Sequence, residues 1–264
     1  MNRILAIARN TFRETVRDKI LYNLILFALV MIGSSLALGQ LTLGNEDKVI
    51  LDLGLGAISV FGLLIAIFIG IGLVYKELEK RTVYALLAKP VRRYELVLGK
   101  YLGLLWTLGV NLAVMTAGLA LALGYTGRAP AGAYWRLLPA VGLIFLSLAL
   151  ATALALLFST FSTPALAALF TFFLWVIGHF NADLRTFGEL SGSPAVEALG
   201  RALYYVIPNF GNFNLIDGRG VLQTAGYARP IDPWAVAGAG AYALLFIAFL
   251  LALSVIIFAR RDFK

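Results

Sequence analysis

Few residues in this sequence are equipped to make or break bonds. It has no cysteine and one histidine, His179. That excludes thiol chemistry, a disulfide framework and Cys-based metal sites, and it excludes a metal or haem site built from several histidines of one chain. A His-Glu-x-x-His zinc motif is absent, as is a Ser/His or paired-Asp set within an apolar stretch, so intramembrane proteolysis lacks its catalytic groups. Gly99-Lys100 is the only Gly-Lys pair; Tyr101 follows it and the upstream glycine of a phosphate-binding loop is missing, so ATP binding by that motif is excluded. His179 sits at the edge of an apolar segment and reads as an ordinary interfacial residue, with contact to cargo as the alternative.

The remaining chemistry is that of docking. Residues 75–100, Y-K-E-L-E-K-R-T-V-Y-A-L-L-A-K-P-V-R-R-Y-E-L-V-L-G-K, form the only long charged stretch between two strongly apolar ones, with seven of the 22 Lys and Arg residues and three of the 14 acids. Glu77, Glu79, Lys80 and Arg81 read as a charged exit turn. Thr82 is suited to cap a helix through its side-chain oxygen. Val83, Tyr84, Leu86 and Leu87 are the apolar part of a short helix, and Lys89-Pro90 ends it because the residue before proline disfavours helical geometry. Arg92 and Arg93 follow, and Glu95 opens the next apolar run. An apolar helix face with charged flanks fits a groove in a partner protein; a solvated basic loop that only fixes topology is the other reading.

Membrane spans are the elements that must position this stretch. The 264-residue chain is 61% hydrophobic and 14% charged, with mean hydropathy +0.87, against roughly 25% charge in soluble domains. Six apolar segments, at about 20–43, 51–74, 96–123, 137–158, 164–180 and 234–258, each approach the roughly 20 residues a helix needs to cross a bilayer. The fifth is short and must cross with little tilt. The first is expected to be a retained helix and not a cleaved leader. No Asp, Glu, Lys or Arg lies well inside these segments; Asp52, Glu95 and Lys100 fall at edges, within snorkelling reach. Ion channels, proton-coupled antiporters and energy-transducing pumps need ionisable groups at depth and are disfavoured.

Residues 3–19 read as an amphipathic helix. Ile4, Leu5, Ala8, Phe12 and Val16 share one stripe, and Arg9, Arg13 and Arg17 lie opposite. Such a basic helix before a span lies in the membrane interface, the alternative being a pre-helix without lipid contact. Placing the N-terminus, residues 75–100, the 159–163 turn and the C-terminus on one side puts 15 of the 22 Lys and Arg residues there. By the positive-inside rule that side is cytoplasmic. Net charge divides into +9 inside and −1 outside, so the total of +8 reports topology and calls for no nucleic acid. The outer loop, 181–233, has room for structure of its own. Pro194–Val206 reads as a surface helix, and Phe210 and Phe213 as an interfacial turn that serves anchoring or gating. Gly99-x-x-x-Gly103 permits close helix packing, a weak signal in a chain with 26 glycines.

Glu77-x-Glu79-x-x-Thr82, Leu86-Leu87-Ala88-Lys89-Pro90-Val91-x-Arg93 and Gly99-Lys100-x-x-Gly103 together resemble the ABC-2 type permeases. The similarity is nearest to the NosY-like branch linked to multicopper enzyme maturation. Arg9-x-x-x-Arg13-x-x-x-Arg17-Asp18-Lys19, Pro208-Asn209-Phe210 and Arg260-Arg261-Asp262 add to the likeness, while Arg81-Thr82 stands where many members have Gly-Thr. The resemblance implies an all-α, six-span permease subunit of an ABC transporter, of a single domain, in the cell inner membrane. It implies an interfacial elbow helix at 3–19 (Arg9, Phe12, Arg13, Arg17), and a coupling segment at 75–95 whose helix is Thr82–Ala88. The residues expected to couple to the ATPase are Glu77, Glu79, Arg81, Thr82, Leu86, Leu87, Pro90 and Arg93. The expected partners are a separate ABC ATPase subunit, a second permease subunit, membrane lipid and, on one reading, a periplasmic protein; no cofactor, metal or catalytic residue is expected. Two other readings stay open: a permease that transmits force to a periplasmic or lipid partner, and an anchor or assembly scaffold without ATPase coupling.

Overall fold

The computed structural model describes residues 3–41, 46–79, 92–126, 133–190, 192–213 and 233–260. Among them the chain is helical and has no strand. The helices are α1 (Arg3–Val16), α2 (Lys19–Gln40), α3 (Glu46–Glu79), α4 (Arg93–Thr126), α5 (Ala133–Ser159), α6 (Pro164–His179), α7 (Asn181–Leu190), α8 (Pro194–Val206) and α9 (Pro233–Arg260), with a 3-10 turn at Phe210–Phe213.

Local chemistry explains several boundaries. The Asp18 carboxylate accepts the Ile20 N–H at 3.1 Å and caps α2. Ser159 and Thr160 turn their hydroxyls back onto Leu156 O and Leu157 O, and Pro164 occupies the first turn of α6, where its missing N–H costs nothing. Inside the spans the hydroxyls of Ser35, Thr107, Thr152, Thr171 and Ser254 donate to carbonyls of their own helices. Apolar surroundings demand such internal satisfaction.

α3 and α5 are the buried centre, and α2 and α9 present most of their apolar surface outward. The run from Leu148 to Leu157 in α5 is buried on every face, as a helix enclosed by other helices requires. α3 and α4 have 34 residues each, about 51 Å at 1.5 Å per residue, and so overreach a hydrocarbon core of about 30 Å. α3 continues through Glu77 and Glu79, which are therefore the last turn of a helix and not an exit turn. Glu is a good helix former, and a charged residue beyond the bilayer has no reason to break the helix. Lys100, expected at a snorkelling edge, is buried in the protein.

Five helices are long and apolar enough to cross a membrane, and six if a bent pair counts as one span. That pair is α6 with Asp183–Leu190 of α7, bent by 65°. α6 alone has 16 residues, about 24 Å, so the fifth apolar segment reaches span length only together with α7.

Candidate functional site

Arg92, Arg93 and Glu95 stand at the start of α4, directly after residues 80–91 in the sequence. Glu95 is the third residue of α4, and its Oε2 accepts the Arg92 backbone N–H at 2.8 Å, half of a capping box. The same oxygen lies 3.9 Å from Nη1 of Arg3, in the first turn of α1. Arg93 turns the other way. Its Nη1 donates to Phe258 O at 3.0 Å and to Ala259 O, at the C-terminal end of α9. Carbonyls in the last turn of a helix have no partner within it, and the helix dipole favours a cation there. Two side chains on the first turn of α4 thus join the start of α1 and the end of α9.

The α1–α4 seam extends this junction. A Cβ built on Gly99 would lie 2.7 Å from Ile7 Cβ and 3.0 Å from Ile4 O; one on Gly103 would lie 2.6 Å from both Ala8 O and Thr11 Cβ. The two glycines are the groove that receives α1. Ala8, Thr11 and Thr15 are its buried face, Phe12 meets Trp106 edge-on at 6.4 Å, and Arg9, Arg13 and Arg17 stay exposed on the far side. Of the expected stripe, Ala8 is buried and Phe12 packs on Trp106 while Leu5 is exposed; small side chains on the face against α4 allow the backbones to approach.

Of the expected coupling residues, Glu77 and Glu79 lie on the last turn of α3 and Arg93 lies in the junction. Arg81, Thr82, Leu86, Leu87 and Pro90 fall outside the described residues. Sequence reasoning missed Arg3 as a partner of Glu95 and the α9 carbonyls as partners of Arg93. The second was not discoverable, since a backbone acceptor leaves no trace in residue type.

At the C-terminal end of α6 a second constellation forms. The His179 ring stacks on Phe210 with centroids 5.9 Å apart and lies 4.2 Å from Trp175. Its Nδ1 is 2.8 Å from Trp175 O, an oxygen that can only accept, so the bond requires the proton on Nδ1. Asn181 donates through Nδ2 to Tyr204 O and Ile207 O, both at 3.1 Å, and the Tyr242 hydroxyl accepts the Asn209 N–H at 2.9 Å. Phe210 and Phe213 are buried here, contrary to the expected interfacial turn. Gly178 makes the room, since a Cβ there would fall 2.4 Å from Pro208 O. A space of about 10 Å³ lies between α3, α4 and α5 beside Thr107 and Thr152, enough for about one water. Among the described residues no three His, Cys, Asp or Glu side chains gather to hold a metal.

Replacing Arg93 by Ala is expected to cost about 1–2 kcal/mol, the worth of a partly exposed charged hydrogen bond at a helix end. Arg93→Lys keeps the charge and recovers part of the loss. Thermal unfolding in detergent reads both; an Arg93→Ala chain as stable as the parent would show that the contact contributes nothing.

Compared with protein families, residues 5–190 match the family described as ABC-2 family transporter protein. No curated protein matches the chain.

Proposed function

The chain belongs to the ABC-2 transporter family, membrane permease subunits that work with an ABC ATPase, and we propose that it couples ATP turnover by such a separate subunit to a conformational change of the spans. The observation that carries this reading is the junction on the first turn of α4. Whatever grips residues 80–91 pulls directly on Arg92. Glu95 and Arg93 would pass that displacement to α1 and α9, and the Gly99–Gly103 seam makes α1 and α4 move together. ATP must favour one arrangement of this unit over another, since a ligand shifts an equilibrium only by its differential affinity for the two states.

In this proposal residues 82–88 are the coupling helix, with Leu86 and Leu87 as the apolar contact and Glu77, Glu79, Arg81, Thr82 and Pro90 as its flanks. Both termini are cytoplasmic, and α1 is the elbow at the inner surface of the cell membrane. The close packing between α3, α4 and α5 supports a working unit of two permease chains, with any export path between them. The NosY-like branch is our finer assignment, resting on the motifs between Glu77 and Gly103. Force transmission to a partner on the outer side is the second reading. It is favoured by the outer structure of α7, α8 and the buried Phe210 turn, in which Asn181 joins the start of α7 to the end of α8 and Tyr242 of α9 holds Asn209.

A single cysteine at Lys89 tests the proposal cleanly, because the chain has none of its own. An impermeant maleimide should label it in inverted membranes without the ATPase, lose access when the ATPase is present, and fail to reach it from outside intact cells. Labelling from outside would overturn the orientation; labelling indifferent to the ATPase would overturn the docking.

A further inference from the structure

At the end of α4 away from Arg93, α2 and α4 finish beside the start of α3 and leave a space of about 260 Å³ between them. Leu36 and Ile50 are its apolar lining, and Gln40, Glu46, Tyr125 and Thr126 its polar one. At Gly39 α2 and α3 are in contact: a Cβ built there would lie 3.5 Å from Glu46 O and from Ile50 Cγ1. Gln40 and Tyr125 are exposed, so the space is reached from outside the protein. Its electrostatics favour a cation. α2 ends at Gln40 and α4 at Thr126, so the negative ends of two helix dipoles converge on it. A basic residue in the last turn is the usual compensation, and neither helix has one; the end of α9, by contrast, receives Arg93. The start of α3 is the one positive dipole end here, and it carries Glu46 as its first residue. Lys48 does not serve, because helical spacing puts it on the other side of α3 with Asp52, whose charge it faces. The Thr126 hydroxyl already donates to Leu123 O at 2.7 Å, so toward a ligand its oxygen can only accept.

We propose that this space binds an organic molecule through a primary ammonium group, with the Glu46 carboxylate as its counter-charge. An ammonium has three N–H donors and no acceptor. The lining answers with acceptors: the Glu46 carboxylate, the Gln40 amide oxygen and the Thr126 hydroxyl oxygen, with the Tyr125 hydroxyl at the mouth. A bare metal ion fits less well, because about 260 Å³ far exceeds one ion and Leu36 and Ile50 offer it no ligand. The space approaches the roughly 300 Å³ at which small-molecule pockets begin, and the apolar pair suits the methylenes next to the nitrogen. The ammonium belongs either to an aminophospholipid, since the ends of spanning helices stand at headgroup level, or to a water-soluble amine. Binding requires neither an ATPase nor a particular orientation of the chain.

The test is native mass spectrometry of the full chain, released from micelles that hold equal amounts of phosphatidylethanolamine and phosphatidylcholine. Thermal unfolding in n-butylamine, and in the uncharged n-butanol, is measured alongside. The two lipids differ in the N–H groups that phosphatidylcholine lacks. If the source is lipid, the parent should retain phosphatidylethanolamine about tenfold over phosphatidylcholine, the worth of one charged hydrogen bond. If the source is a soluble amine, butylamine and not butanol should raise the melting temperature, without a lipid preference. In either case Glu46→Gln should abolish the effect, and Asp52→Asn, an acid on the other side of the same helix, should keep it. Gln40→Leu should lower it several-fold, and decides the matter if Glu46→Gln fails to fold. Neither a preference nor a shift in the parent overturns the proposal, as does an effect that Glu46→Gln keeps or Asp52→Asn loses. Stabilisation by calcium chloride in place of the amine overturns it in favour of a metal. Amine binding that appears only in Arg128→Gln would mean that a cation of the chain itself takes the space, and overturns it too.

Discussion

A Gly103→Leu chain is expected to lose the docking of α1 and most of its coupled activity, with the spans still inserted. Even a methyl group at this position would stand 2.6 Å from Ala8 O and 2.6 Å from Thr11 Cβ. The first of these is backbone, so no rotamer change relieves it, and α1 as a whole must move. Overpacking of a tight contact costs about 1–3 kcal/mol, and leucine against backbone belongs at the upper end. Once α1 lifts, Arg3 leaves Glu95 and Phe12 leaves Trp106, so the seam fails as a unit. Gly103→Ala should fall between leucine and the parent. Gly33→Ala, where nothing lies within 4 Å, should be neutral or slightly stabilising through helix propensity. Thermal unfolding and protease access to the α1–α2 connection read the series. If Gly103→Leu behaves like Gly33→Ala, the seam does not hold α1.

The double substitution Leu86→Asp with Leu87→Asp is expected to have the largest effect on function. If these side chains fill a groove in the ATPase, the substitution moves two carboxylates into an apolar contact without partners. Each unpaired polar group costs several kcal/mol under such conditions, and about 2.7 kcal/mol already means a hundredfold loss of affinity. Binding of the ATPase should therefore fall by at least a hundredfold. The contacts that hold the bundle's foot lie on other residues, Arg93 with α9 and Gly99 and Gly103 with α1, so the melting temperature of the permease alone should be unchanged. That pairing of lost binding with kept stability separates a docking role from a structural one.

What could be read in advance follows from which forces leave marks in residue type. A bilayer demands about 20 apolar residues per crossing helix, and that demand stands out in α2, α3, α4, α5 and α9. The fifth segment shows the limit of length alone. Its residues are apolar enough, yet α6 ends at His179 because Asn181 starts a new helix and holds the last carbonyls of α8 and the turn beyond it. Aromatics beside asparagine and glycine read as headgroup anchors, but Phe210 is buried because Gly178, thirty-two positions earlier, opens space for it. Gly99 and Gly103 carried a recognisable packing pattern without naming a partner. Nothing in the pattern said that it receives α1 instead of another span. Arg93 was legible as a charge with a task, but its acceptors are main-chain oxygens of α9.

We propose that residues 82–88 are gripped by a separate ATPase whose turnover moves the unit built on α4. It is tested most directly by native mass measurement of the affinity-purified chain, parent and Leu86→Asp/Leu87→Asp side by side, from cells producing the candidate ATPase. A complex of two permease and two ATPase chains is expected for the parent, and permease without ATPase for the double variant. A parent that purifies without ATPase, or a double variant that keeps it in full, would contradict the claim.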